Sequence, residues 1–137
     1  MALDYDRAMS FATGWTPVRY DARDVILYAL GVGYGPDDLD FVLETRGPKV
    51  LPTLATTLVR SISRDLGLDM SGVVHAAQAL EILQPLPAQT GIVWRAAVTD
   101  VIDKGPEKGV IVVFDTVARL TEDGPDLFVL RTTLMAR

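Results

Sequence analysis

A change of hydrophobic period near residue 75 limits the fold of this chain more than any other feature. Before it, apolar residues recur at helical spacing; beyond it, long apolar or alternating segments are separated by short Gly- and Pro-bearing turns. Residues 91–103 alternate, with Ile92, Trp94, Ala96, Val98 and Ile102 on one face and Arg95, Thr99 and Asp103 on the other. Residues 109–121 are nearly all apolar at first and then alternate, and residues 126–135 make a further strand. A first strand is expected over 75–83, stopped by Pro85 and Pro87. The turns at Lys104-Gly105-Pro106 and Glu122-Asp123-Gly124-Pro125 are too short for parallel crossovers, so the sheet is expected to be antiparallel.

Upstream, residues 1–20 read as an extended arm that lays Phe11, Trp15, Pro17, Val18 and Tyr20 over a core. Asp21, with Asp24 three residues on, opens a helix over 22–32 in which Val25, Ala29 and Val32 form a stripe widened by Ile26 and Leu30. Gly31, Gly33, Gly35 and Pro36 end it. Residues 36–50 are a loop with a short apolar piece at 39–43. A second helix is expected over 52–66, with Pro52 in its first turn and Leu54, Leu58, Ile62 and Leu66 as an i, i+4 ladder. The fold class is therefore α+β. A strongly curved antiparallel sheet needs something to wrap around, and the helix 52–66 fits that place, which is the hot-dog arrangement. Residues 1–137 are read as one domain, long enough to bury roughly two-thirds of the unfolded surface.

Composition narrows the function classes. The net charge of −5, with dispersed charges, argues against a nucleic-acid binder, which needs a clustered basic face. The sequence has no cysteine, which excludes disulfides, thiol catalysis and zinc–thiolate sites. A reducing, cytoplasmic location is the expectation. The opening MALDYDRAMS has no apolar run behind a basic start and does not read as a secretory leader. No stretch approaches the ~20 apolar residues that span a bilayer.

The single histidine, His75, is the one imidazole available for acid–base work. Asp69 and Ser71 precede it, but across a loop whose spacing fixes no geometry. His75 therefore reads either as bonded to backbone at a strand start or as a ligand contact. Gly31-Val32-Gly33-Tyr34-Gly35 follows a helix instead of a strand, so it reads as a helix stop and not a phosphate loop. Asp37, Asp38 and Asp40 read as a solvated loop, and no metal-ligand set is present. Lys104 lies in a tight turn and needs an anionic ligand nearby to acquire a role.

Several segments in order resemble one family. Pro17-Val-Arg-Tyr-Asp-Ala-Arg-Asp-Val-Ile-Leu-Tyr-Ala-Leu-Gly-Val-Gly33 resembles the opening of the N-terminal half of MaoC-like (R)-specific enoyl-CoA hydratases. Leu39-Asp-Phe-Val-Leu-Glu44, Val50-Leu-Pro-Thr53, Val74-His75 through Glu81, Pro85-Leu-Pro87 and Ala97 through Gly105 continue it. The resemblance implies a double hot dog with divided labour. The C-terminal half activates water with an aspartate and a histidine. The N-terminal half has an altered hot-dog helix, accommodates a bulky acyl chain and contributes to coenzyme A binding. It implies ligand contacts at His75, Ala76 and Lys104, although Ala76 stands where the family has glycine. It also implies an acyl pocket lined by Tyr28, Val32, Leu54 and Leu58, no catalytic residue in this half, and no cofactor or metal beyond the coenzyme A of the substrate.

The family's Gly-Asp-x-Asn-Pro-x-His signature is absent, and the sequence has no asparagine. The expected partner is a catalytic hot-dog subunit, or a further part of the same chain, since Arg137 lies about where a linker would begin. The alternative is a non-enzymatic homodimeric hot dog that binds acyl-CoA or another apolar ligand.

Overall fold

The computed structural model describes residues 3–137. Its frame is a five-stranded antiparallel sheet in the order β1-β3-β4-β5-β2, with β1 Thr16–Tyr20, β2 Val73–Ile82, β3 Thr90–Asp103, β4 Val110–Arg119 and β5 Asp126–Ala136. The four expected strands are present, and β1 is a fifth from the segment read as an extended arm. That arm also holds a short helix, α1 Tyr5–Met9, capped by the Asp4 carboxylate. Between them, residues 11–13 run along β3: the Thr13 N–H donates to the Ala96 carbonyl at 2.8 Å, and the Ala96 N–H donates to Thr13 Oγ1 at 2.9 Å.

Register divides the sheet into two faces. The inner face carries Trp94, Ala96 and Val98 on β3, Phe114, Thr116 and Ala118 on β4, and Phe128, Leu130 and Leu134 on β5, all buried. The outer face is part-exposed; there the Asp115 carboxylate accepts two bonds from Arg131, each at 2.8 Å. One expected inward residue is reversed. The pairing of β3 with β4 slips between Val98 and Asp100, so Val101 turns inward and is buried while Ile102 is 42% exposed. A bulge inserts one residue and flips every later side chain.

Helix α2, Ala22–Gly31, forms nearly as expected, although Leu30, read as widening the apolar stripe, is 48% exposed. Asp21 and Asp24 make a reciprocal capping box, and Val25, Ile26 and Ala29 are buried. Val32 falls one residue past its end. Helix α3, Leu39–Val42, occupies the short apolar piece of the loop. The second expected helix is much shorter than its apolar ladder. A 3₁₀ turn at Pro52–Leu54 leads into α4, Ala55–Leu58, and Val59 is already extended. Thr56 and Thr57 turn their hydroxyls back onto the carbonyls of Thr53 and Leu54, each at 2.8 Å. Adjacent β-branched residues and local hydroxyl bonds both weaken a helix. Downstream, Arg60 pairs with Asp65, and Ser61 bonds Ser63. The ladder still reaches the core: Leu54 and Ile62 are buried, and Leu58 and Leu66 pack against them. It does so from an irregular chain.

Candidate functional site

The short α4 determines what the inner face leaves open. Edge strand β2 is exposed from Val74 to Ala79, including inward positions. His75 pairs with Leu134, and the register then slips, so that Ala77 pairs with Thr133 and Ala76 is the extra residue of a bulge. Cross-strand partners project to the same side. His75 therefore shares the inner face with buried Leu134, yet is itself exposed. Asp69 and Ser71 do not serve it. The Asp69 carboxylate accepts from the Ser71 N–H at 3.0 Å and from its hydroxyl at 2.8 Å, capping the turn Met70–Gly72. These bonds hold the Asp69 carboxyl below its usual range. The side chain of His75 makes no hydrogen bond among the described residues, so no acid–base pair forms there.

Lys104 lies in the β3–β4 turn, exposed, with its N–H donating to the Gly109 carbonyl at 2.8 Å. Asp103 shapes this turn by accepting from the Gly105 N–H at 2.7 Å. His75 and Lys104 lie toward one end of the sheet, on β2 and at the end of β3. Three strand spacings, about 14 Å across the sheet, separate their strands. Both side chains are exposed, and a group touching both would have to reach across β4 and β5. A cavity of about 1010 Å³ adjoins the Lys104 turn, with Arg7, Phe11, Arg64, Asp69, Gly105 and Gly109 among its walls. Sequence reasoning missed Arg7 and Arg64, because they come from remote segments with no motif around them. Asp4, Asp65 and Asp103 line the same space, so its charge is mixed.

None of the four residues expected to form an acyl pocket lines this cavity or the one at the far end of β2. Leu54 is buried in the core, Tyr28 and Leu58 are half-buried against it, and Val32 is 52% exposed beyond α2. A second cavity, of about 620 Å³, opens at the far end of β2. Its walls include Phe41, Val50, Leu51, Ile82, Leu86 and Ala88. Tyr20 secures the turn that carries Leu86 and Ala88, since its hydroxyl donates to the Pro87 carbonyl at 2.7 Å. Burial pushes that phenol up to about 12. No group of three metal-ligating side chains occurs among the described residues. No described helix is long and apolar enough to cross a membrane.

The sheet and its short helix superpose on hot-dog dehydratases. A MaoC-like dehydratase from Phytophthora capsici matches 96% of this chain and 48% of its own, with a TM-score of 0.78 and 24% identity. The HadBC (3R-hydroxyacyl-ACP dehydratase) complex from Mycobacterium tuberculosis matches 89% of this chain and 96% of its own, with a TM-score of 0.67 and 20% identity. In sequence, the peroxisomal enoyl-CoA hydratase 2 of Arabidopsis thaliana is 32% identical over 138 residues, covering 89% of this chain and 44% of that protein. This chain spans about half the length of the curated relatives it matches. The architecture is thus a MaoC-like hot dog. The model of the MFE-2 hydratase 2 N-terminal domain matches residues 18–137, and the chain belongs to that family.

Proposed function

We propose that this chain is the non-catalytic, substrate-binding hot-dog half of an (R)-specific enoyl-CoA hydratase/dehydratase of lipid metabolism. The water-activating Asp and His come from a catalytic hot-dog partner, as a separate subunit or as a further part of the same chain. The observation that carries this reading is the free edge of the sheet. Strand β2 is ten residues long, six consecutive residues in it are exposed, and Glu81 is its one Asp, Glu, Lys or Arg. An edge of that length with so little charge is a template for another sheet. His75 and Ala76 sit on it, so a ligand touching them lies where two hot-dog units meet. The likeness to HadBC, itself a complex, supports a second hot-dog unit.

In this role the chain holds the acyl-CoA thioester, fatty or as bulky as a steroid, through His75, the backbone at Ala76 and Lys104. Coenzyme A enters as part of the substrate. Lys104 attracts its phosphates as a mobile point charge. The same edge paired with a second copy of the chain would give a homodimeric binding module without catalysis.

The test is hydration of crotonyl-CoA and of a bulkier enoyl-CoA by this chain alone, and by this chain with a hot-dog chain that carries the Asp/His signature. Turnover is expected with both present. Turnover by this chain alone overturns the division of labour. In the pair, Lys104→Ala is expected to weaken coenzyme A binding by about three- to tenfold at low salt and less at high salt, as for an exposed charge. Equal affinity at low salt removes Lys104 from the site.

A further inference from the structure

The sheet has a second face, turned away from the core in which the helices pack. Val113, Val117, Val129 and Met135 point to it and stay part-exposed. Cross-strand partners project to one side, so register sorts this outer face into rows that run across β3, β4, β5 and β2. The row nearest the β3–β4 turn is wholly apolar: Ile102, Ile111, Met135 and Val74, with Ile102 42% and Val74 62% exposed. The middle row is Ala97, Asp115, Arg131 and Ala79. The row beyond it is Arg95, Val117, Val129 and Glu81. Single exposed apolar residues are ordinary, but a contiguous apolar strip four strands wide marks a contact surface.

These rows are self-complementary. A two-fold axis lying along the strands, between β4 and β5, sets β4 of one copy over β5 of a second copy and β3 over β2. Asp115 then faces the second copy's Arg131, and Arg95 faces its Glu81. Val117 meets Val129 and Ile111 meets Met135, and every such pair occurs twice. Facing sheets cross at about 30°, which moves the Arg95 and Glu81 positions by about 5 Å, within reach of two long side chains.

The charges are free to pair in this way. Arg131 holds Asp115 of its own chain through two bonds, yet its side chain is 60% exposed and keeps N–H donors to spare. Among the described residues neither Arg95 nor Glu81 has an ion-pair partner. Within one copy they cannot meet, since three strand spacings, about 14 Å, part their strands. Trp15 steadies Arg95 on this face, with its ring 5.0 Å from the guanidinium. Four strands at about 4.8 Å and seven residues at about 3.4 Å give the face about 450 Å² in projection, or about 900 Å² for two copies. Side-chain relief adds to that and brings it to the roughly 1,000 Å² of a weak specific interface.

We propose that the outer face of the sheet is an association surface whose occupant is the same face of a second copy of this chain. The contact leaves the inner face and the backbone edge of β2 free, so it does not depend on the substrate-binding role. Where both hold, two hot-dog assemblies stand back to back, each with its own ligand surface.

The experiment is sedimentation equilibrium of the full chain at low and high salt, with circular dichroism to show that each variant folds. Self-association is expected with a dissociation constant of about 1–100 µM. Arg95→Glu and Glu81→Arg should each weaken it by about thirty-fold at low salt, because each turns two attractive pairs into two repulsive ones. Mixing the two variants in equal amounts restores opposite charges at both positions. A mixed dimer is therefore expected within about threefold of the unmodified affinity. Since the two residues cannot pair within a copy, that rescue reports contact between copies. A chain that stays monomeric throughout the range overturns the proposal. So does a dimer that both charge reversals leave intact, which places the contact elsewhere, such as the β2 edge. Loss in each variant without rescue in the mixture overturns it as well, because β3 then does not lie over β2.

Discussion

Replacing Thr116 with valine tests how the core beneath the site is built. Thr116 lies on the inner face of β4 between Ala96 and Leu130 and is 1% exposed. Its Oγ1 is buried without a hydrogen-bond partner among the described residues. A hydroxyl in that state has lost its hydration and gained nothing, at a cost of about 1–3 kcal/mol. Valine has the same branched shape, so the exchange leaves no cavity, and the added methyl contributes up to about 0.8 kcal/mol by burial. Local relaxation recovers part of the hydroxyl's cost, which puts the net gain at about 1–2 kcal/mol. Unfolding entropy of about 2.1 cal/mol/K per residue is about 0.3 kcal/mol/K over 137 residues. The expected rise in Tm is therefore about 4–7 °C. In urea the midpoint should move up with the slope unchanged. A lower midpoint would refute the reasoning, because it would mean that the hydroxyl has a partner, such as an enclosed water, that valine cannot keep.

Gly109→Ala should be costly and Gly105→Ala mild, although both glycines have positive φ, 76° and 86°. A Cβ at Gly109 collides with the Ala136 carbonyl oxygen, whereas one at Gly105 meets open space. Denaturant unfolding is expected to show more than about 2 kcal/mol lost for the first and about 1 kcal/mol for the second. Tyr20 predicts an alkaline limb. Its folded pKa of about 12 lies above the ordinary 10.0, so its contribution is complete below pH 10.0 and is lost as pH rises toward 12. Tyr20→Phe should cost about 1 kcal/mol at neutral pH, through the lost bond to Pro87, and should flatten stability between those two pH values. An equally steep alkaline limb in the variant would assign it to another group.

The strands were legible because their period is unambiguous and their turns are short. The end of β3 was not, because a bulge at Thr99 leaves no mark in an alternating pattern, and Val101 and Ile102 exchanged faces. Tyr5–Met9 lacks the length for a periodic signal, so only the Asp4 cap marks it. The ladder of Leu54, Leu58, Ile62 and Leu66 records burial correctly and conformation incorrectly. Apolar residues four apart need only reach the core, and an irregular segment tied by Thr56, Thr57 and the Arg60–Asp65 pair takes them there. Local placement was readable: His75 beside Ala76 near the start of a strand, and Lys104 in a turn. The cavities were not, since each joins segments far apart in the chain.

The shortened helix and the open edge have one physical origin. In a hot dog the central helix covers the concave face of the sheet, and a full-length one would close the side against β2. Ending it at Leu58 costs apolar contact, and the segment 59–69 restores part of that by burying Ile62 and laying Arg60 5.8 Å from the Trp94 ring. It does not cover His75, Gln78 or the neighbouring positions of β2, which stay exposed. The resulting surface carries one carboxylate, Glu81, along its edge, is apolar at its far end and is bordered by Lys104 near the other. Stability alone does not favour leaving so much of a strand uncovered in a domain that buries the rest of its inner face. The substrate-binding role proposed above, with an elongated ligand held against a second sheet, would account for all three properties at once.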